Sequence, residues 1–319
     1  MALPYSGRQT GIGIGKEVTW ATPVARTGWL KAVSAALQEK TERSPTPHLV
    51  HSGEGIHLEH YLSRVTAAGD MESLATYNAP NFGDQLYAAL GAGATAGAGP
   101  TYTHTIDPAA ALPSLTMEMI RGTGTAEIFA GMKCSSLSIV QAPNDVLRCR
   151  TSWMGKSSGG RVVAGSPAYT GSPARILHHE MGAVSWNAGS YARAKSVEIT
   201  LNNNLERRDV IGSQYTDEPD FSGFRDVTCK LTLLWDSDDF VAGMRAGTVS
   251  DLSITWTGTT APNSLQAILH NAIVQDLSDP ISGPGVVAQN VTLRGYADGS
   301  DKGIQFVLIN GVVAAGYLW

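Results

Sequence analysis

Residues 195–207 read KSVEITLNNNLER, and residues 31–43 read KAVSAALQEKTER. The two align without gaps, with Lys31, Val33, Leu37, Glu42 and Arg43 matching Lys195, Val197, Leu201, Glu206 and Arg207. Similar segments so far apart point to an internal repeat, the first pattern to seek in a chain of this length. Within residues 196–204, Val197, Ile199 and Leu201 alternate with Glu198, Thr200 and Asn202. That period of two is a strand with one dry face and one wet face. Such strands belong to antiparallel sandwiches or barrels.

The elements after each copy recur in order. A polar Pro/Gly-rich stretch comes first, SPTPHLVHSGEGIHLEHY in one half and DVIGSQYTDEPDFSGF in the other. Strand-like segments follow, then a short helix. The first helix is expected near residues 84–90, where Phe82, Leu86 and Leu90 share a face and Gly91 suits the end. The second begins in DSDD (236–239), whose carboxylates suit a helix N-terminus, and Gly247 follows it. Then come SLTMEMIRG against DLSITWTG, and two longer strands in each half. Residues 157–174 have a linker's composition. The expected fold is therefore all-β with one short helix per repeat, built as two tandem β-sandwich or barrel domains. A first domain at 1–165, a linker at 166–182 and a second domain at 183–319 follow from this pattern.

Composition limits function. The charged fraction is 16% against a typical quarter, and Gly numbers 35, which suits turn-rich β-structure. Residues 1–165 carry 13 Lys/Arg and 12 Asp/Glu, while residues 166–319 carry 10 and 16. No dense basic stripe exists, so high-affinity phosphate binding is not expected. No apolar run is long enough to span a bilayer, and the first residues lack the form of a signal peptide. Cys134, Cys149 and Cys229 are too few and too scattered for a disulfide framework or zinc cluster, and read as buried thiols of a protein made in a cytoplasm.

Motifs for catalysis fail on spacing. GIGIGKE (11–17) lacks the distant Gly and the following Ser or Thr of a phosphate loop, having Thr10 and Glu17 there. His48, His51, His57 and His60 could ligate a metal, with Glu54 and Glu59 nearby, but the corresponding stretch of the other half has no histidine. A solvated or subunit-contacting loop is the preferred reading. The adjacent His178 and His179 would point to opposite faces of a strand. His104 and Asp107, in YTHTIDPAAALPSLTMEM (102–119), have no nucleophile in a motif context. No catalytic, cofactor-binding or metal-binding residue is assigned, and no enzyme activity is expected.

Three segments together resemble the tail tube proteins of long-tailed bacteriophages. They are GIGKEVTWATPVARTGWLKAVSAAL, YTHTIDPAAALPSLTMEM with its H-T then P-S-L-T-x-E pattern, and SVEITLNNNLERRDVIGSQYTDEPDFSGFRDVTCKLTLLW. The matches run from residue 11 to about 235, and the rest agrees in element order only. The resemblance implies a structural virion protein that polymerises into stacked rings, forming a tube through which DNA passes from capsid to host. It implies a lumen barrel shared between subunits, with each helix packed outside. Partners would be further copies of the chain, a tape measure protein, a tail terminator, and distal tail or baseplate proteins. Because the chain is two units long, a ring of three chains is preferred to one of six. Glu198, Thr200, Asn202 and Asn204 are candidate lumen positions. The loops at 44–61 and 209–224, with His48, His51, His57, Asp217 and Glu218, are candidates for contact with the next ring. Other readings are a decoration or receptor-binding virion domain, and the tube of a contractile tail or phage-derived particle.

Overall fold

A computed structural model describes residues 10–45, 59–77, 80–122, 124–169, 176–187, 189–260, 262–280, 285–299 and 301–319. Of the expected site residues, His48, His51 and His57 lie outside the described residues. The fold is all-β with two short helices, α1 (Pro80–Leu90) and α2 (Asp239–Ala246). Pairings link nineteen of its strands, and a separate hairpin joins Leu205–Arg208 to Asp217–Phe221.

One antiparallel sheet organises the molecule. At one edge, Ala32–Ala35 continues as Gln38–Pro45, and both pair with His60–Leu74. The order then runs Arg148–Gly155, the C-terminal half of Thr125–Gln141, Ala194–Asn202, Asp226–Leu234, Ala288–Arg294 and the C-terminal half of Ser264–Ser278. That makes eight strand positions. The two long strands, Thr125–Gln141 and Ser264–Ser278, leave this principal sheet at their N-terminal halves and enter flanking sheets. Each turns at a residue of positive φ, Gly131 at 69° and Asn271 at 49°. Glycine is required at the first bend, because an added Cβ would stand 2.8 Å from Trp20 Nε1.

The pairing pattern of the first half recurs in the second. An irregularity at residue 33, between Ala32 and Ser34, reappears at 195, between Ala194 and Ser196. The register shift that leaves out Ser135 reappears at Gln275. These landmarks correct the alignment made from sequence. Ala32 corresponds to Ala194, so the gapless match of residues 31–43 with 195–207 is two residues out of step. The stretch from residue 157, which has a linker's composition, also begins with a paired strand, Ser157–Val163.

The halves are joined by hydrogen-bonded sheet and share one core. Thr125–Gln141 pairs with Ala194–Asn202, and Ile304–Asn310 pairs with Tyr102–Pro108. A single buried cluster runs from Ile12 to Tyr317 and includes Phe82, Leu86 and Leu90 of α1 and Phe240 of α2. Phe240 stacks on Trp186, with ring centroids 4.9 Å apart. His104 belongs to this interior. Its Nδ1 lies 2.9 Å from Thr95 Oγ1 and its Nε2 3.0 Å from Asn310 Oδ1, and burial lowers its pKa. Asp107 accepts a bond from Gln305 Nε2. Both His104 and Asp107 are thus held in structural contacts.

Candidate self-assembly surfaces

The principal sheet has one face on the core and one face away from it. On Ala194–Asn202, Val197, Ile199 and Leu201 are buried, whereas Glu198 and Thr200 are half-buried and Asn202 is exposed. The strand ends at Asn202, so Asn204 does not extend the row. It adopts a left-handed conformation (φ 48°), and its side chain donates to the Phe224 carbonyl, closing the base of the following hairpin. Asn203 is fully buried, and its Nδ2 donates to the carbonyls of Ala89 and Cys134, both at 2.9 Å.

The outward face is polar, and several of its cations are paired. Arg148 and Arg150 both bond Glu72, at 2.7 and 3.1 Å. The Arg148 guanidinium beside Glu72 is the main reason that carboxyl sits below the usual range. Lys230 stands directly opposite Glu198, and Arg294 lies 3.0 Å from Asp226. Neutral side chains, including Ser136, Ser138, Thr200, Thr228 and Thr232, fill much of the remainder.

Two edges of this sheet have no strand partner among the described residues. One is the outer side of Ala32–Ala35 and Gln38–Pro45, where Ala32, Val33, Ser34, Gln38 and Lys40 are exposed. The other is the outer side of the Ser264–Ser278 terminus, where Gln275, Asp276 and Ser278 are exposed. An open edge presents backbone donors and acceptors to another strand, and on the first edge the Leu37 carbonyl is held meanwhile by Arg121 at 2.6 Å.

Hairpins extend one end of the sheet. The strands Gln38–Pro45 and His60–Leu74 form one arm, and the Leu205–Phe221 region forms the other. The second arm leans on the first, with Arg64 bonded to Asp209 and the Val65 N–H donating to the Gln214 carbonyl. Its apolar tip is exposed, Val210 at 49% and Ile211 at 107%. Of the residues expected from sequence, Asp217 and Glu218 are both exposed, and Glu218 also anchors the arm. It bonds Lys133, whose buried Nζ also donates to the Pro219 carbonyl. Val210, Ile211 and Lys133 are not among the residues the sequence points to, although V-I before Gly-Ser in a polar loop is a signal for the first two.

At the opposite end, each half carries a groove of about 370 Å³. Thr10, Ile12, Lys31, Val33, Ala35 and Met119 line the first. The residues at corresponding positions, Gly182, Val184, Arg193, Lys195, Val197 and Ile254, line the second. Gln141 and Pro143, from across the join between halves, complete the second groove.

A family model described as phage tail tube protein matches residues 7–295. The chain belongs to that family. It is a structural component of the phage tail, and no curated protein matches it. Membership of that family implies self-assembly into a tube. Among the described residues no group of three or more His, Cys, Asp or Glu is placed to hold a metal ion, and no helix is long and apolar enough to cross a membrane.

Proposed function

We propose that this tail tube protein closes into rings through the two open edges of its principal sheet, and that the rings stack into the conduit for double-stranded DNA. The observation that carries the reading is the join between the halves. There, Thr125–Gln141 of one pairing unit hydrogen-bonds Ala194–Asn202 of the next, and the same two kinds of edge remain open at the ends of the sheet. Repeating that join between copies extends the sheet without a new kind of contact, and closure removes the edges.

The two halves act as duplicated units, about 1–165 and 183–319 with 166–182 between them, so three chains complete a ring. Three eight-stranded sheets make 24 strands. At about 4.8 Å per strand, and before tilt widens it, the backbone cylinder is about 37 Å across. Six chains would give 48 strands and about 73 Å, far more than a duplex needs. The outward sheet face, with Glu198, Thr200 and Asn202, becomes the lumen wall. Its cross-strand charge pairs offer few free cations to phosphates, each of which would add affinity and slow passage.

Stacking uses the arms and grooves. The Val210–Ile211 tip suits an apolar groove floor, and the exposed Asp217 on that arm complements Lys195 at the groove. The tape measure protein would occupy the lumen during assembly, with terminator and distal tail proteins at the two ends. Microscopy of the concentrated protein tests this. Tubes built of three-chain rings with a backbone cylinder near 40 Å are expected, and six-chain rings or a protein that stays monomeric in all conditions would overturn it.

A further inference from the structure

The internal join fixes the register of the external one. We propose that Gln38 of one copy stands opposite Ser278 of the next, and Lys40 opposite Asp276, so that an ion pair marks the seam between chains. This rests on the ring reading above.

The register comes from matched irregularities in the two halves. Ala32, Ser34 and Ala35 face Ser73, Glu72 and Met71, skipping residue 33, as Ala194, Ser196 and Val197 face Leu233, Thr232 and Leu231, skipping 195. Ser136 and Cys134 face Ser152 and Trp153, as Asp276 and Val274 face Thr292 and Leu293. Thr200 therefore corresponds to Gln38 and Asn202 to Lys40, while Ser138 corresponds to Ser278 and Ser136 to Asp276. At the internal join Thr200 faces Ser138 and Asn202 faces Ser136. Transferring those partners gives the external pairs.

The pair types follow too. The Asn203 N–H donates to the Ser135 carbonyl at 2.9 Å, so pairs an odd number of residues away are not hydrogen-bonded and bring their side chains closest. Gln38 with Ser278 is such a pair, all four external residues are exposed in the single chain, and among the described residues Lys40 there meets only Glu42 of its own strand, at 3.4 Å. The internal join has neutral Asn202 against Ser136, whereas the external one sets Lys40 against Asp276. Opposite charges directly across a ladder stabilise it. A slip of one residue reverses faces, and a slip of two separates the charges. Leu37, which is buried, and Leu277, which packs on the core, then become diagonal neighbours across the seam and continue the apolar face.

The test is a double variant, Gln38→Cys with Ser278→Cys, in the full chain. The three native thiols are buried and do not compete. Mild oxidation of assembled protein is expected to give disulfide-linked chains that end in a three-chain species on a non-reducing gel, while each single variant stays unlinked. Stronger linkage by Gln38→Cys with Asp276→Cys, or tubes visible by microscopy with no linkage, would overturn the register and leave the tube reading standing. Absence of rings and tubes for the unmodified chain would overturn both. Independently, Lys40→Asp should raise the concentration for half-assembly about five-fold, and adding Asp276→Lys should restore it. No recovery in the double reversal would refute the charge pair.

Discussion

Asn203→Ala removes a post that holds α1 to the join between the halves. The last carbonyls of a helix have no partner within it. In α1, the Leu90 carbonyl is met by the Ala109 N–H and the Ala89 carbonyl by Asn203 Nδ2. The same amide group also donates to the Cys134 carbonyl, on the long strand that crosses between sheets. Truncation strands two buried carbonyls, each costing about 1–3 kcal/mol, and opens a small void. A total near 3 kcal/mol is expected. With an unfolding entropy of about 2.1 cal/mol/K per residue over 319 residues, and one cooperative transition, that lowers Tm by about 4 °C. Chemical denaturation followed by tryptophan fluorescence gives the free energy, and calorimetry gives Tm. A loss below about 0.5 kcal/mol would refute the view that this amide is a structural post, because that is the range of an ordinary surface change.

Two further outcomes follow. Burial pushes the Asp84 carboxyl up to about 8, although the Leu318 N–H donates to it at 2.9 Å. The folded chain thus keeps a proton that the unfolded chain releases above about pH 4, and stability falls as pH rises from there to about 8. Asp84→Asn should gain stability relative to the unmodified chain across that window, by a few kcal/mol at its upper end. A difference independent of pH from 5 to 9 would contradict this. Ile211→Asp, at a fully exposed arm tip, should leave monomer stability within about 0.5 kcal/mol while shortening tubes and preserving ring size. Tubes of unchanged length by microscopy would remove the arm from stacking.

Much of the architecture is legible locally, because alternation and glycine punctuation are local signals. The wet and dry faces of 196–202, the breaks around Tyr102–Pro108 and Leu115–Arg121, and the two helices with Gly91 and Gly247 behind them all follow from short windows. Register does not. A period-two pattern looks the same after a shift of two residues, so the alignment of Lys31 with Lys195 preserved every face while misplacing every partner. Only the irregularities at 33 and 195, visible as skipped pairs, fix it. The role of Asn203 is hidden for a related reason. In NNN at 202–204, one residue ends the strand, one is a buried post and one turns left-handed, and nothing in the letters distinguishes them. Lys133 reads as a surface cation until Glu218 and the Pro219 carbonyl, far along the chain, meet it.

Carrying both halves on one chain distinguishes the internal join from any join between chains. The internal join is made at the effective concentration of a tether, so its strands find each other without association entropy. It is reinforced where Ile304–Asn310 pairs with Tyr102–Pro108, and where Trp319 Nε1 and the Leu318 N–H donate to Thr95 and Asp84 of the first half. The hairpin that receives this reinforcement, Gly91–Ala96 with Tyr102–Pro108, follows α1; after α2 the chain passes directly to Ser250–Thr257. The two halves are therefore unequal, and a ring of three would alternate strong internal joins with weaker external ones. Subunits would then enter and leave as whole chains, and control of polymerisation would rest on the external edges. A neutral join suffices where the tether supplies the partner. A charge pair would add selectivity where the partner must be found by diffusion, and the proposed pairing of Lys40 with Asp276 would supply it at the outer edges, where the inner join has neutral Asn202 against Ser136.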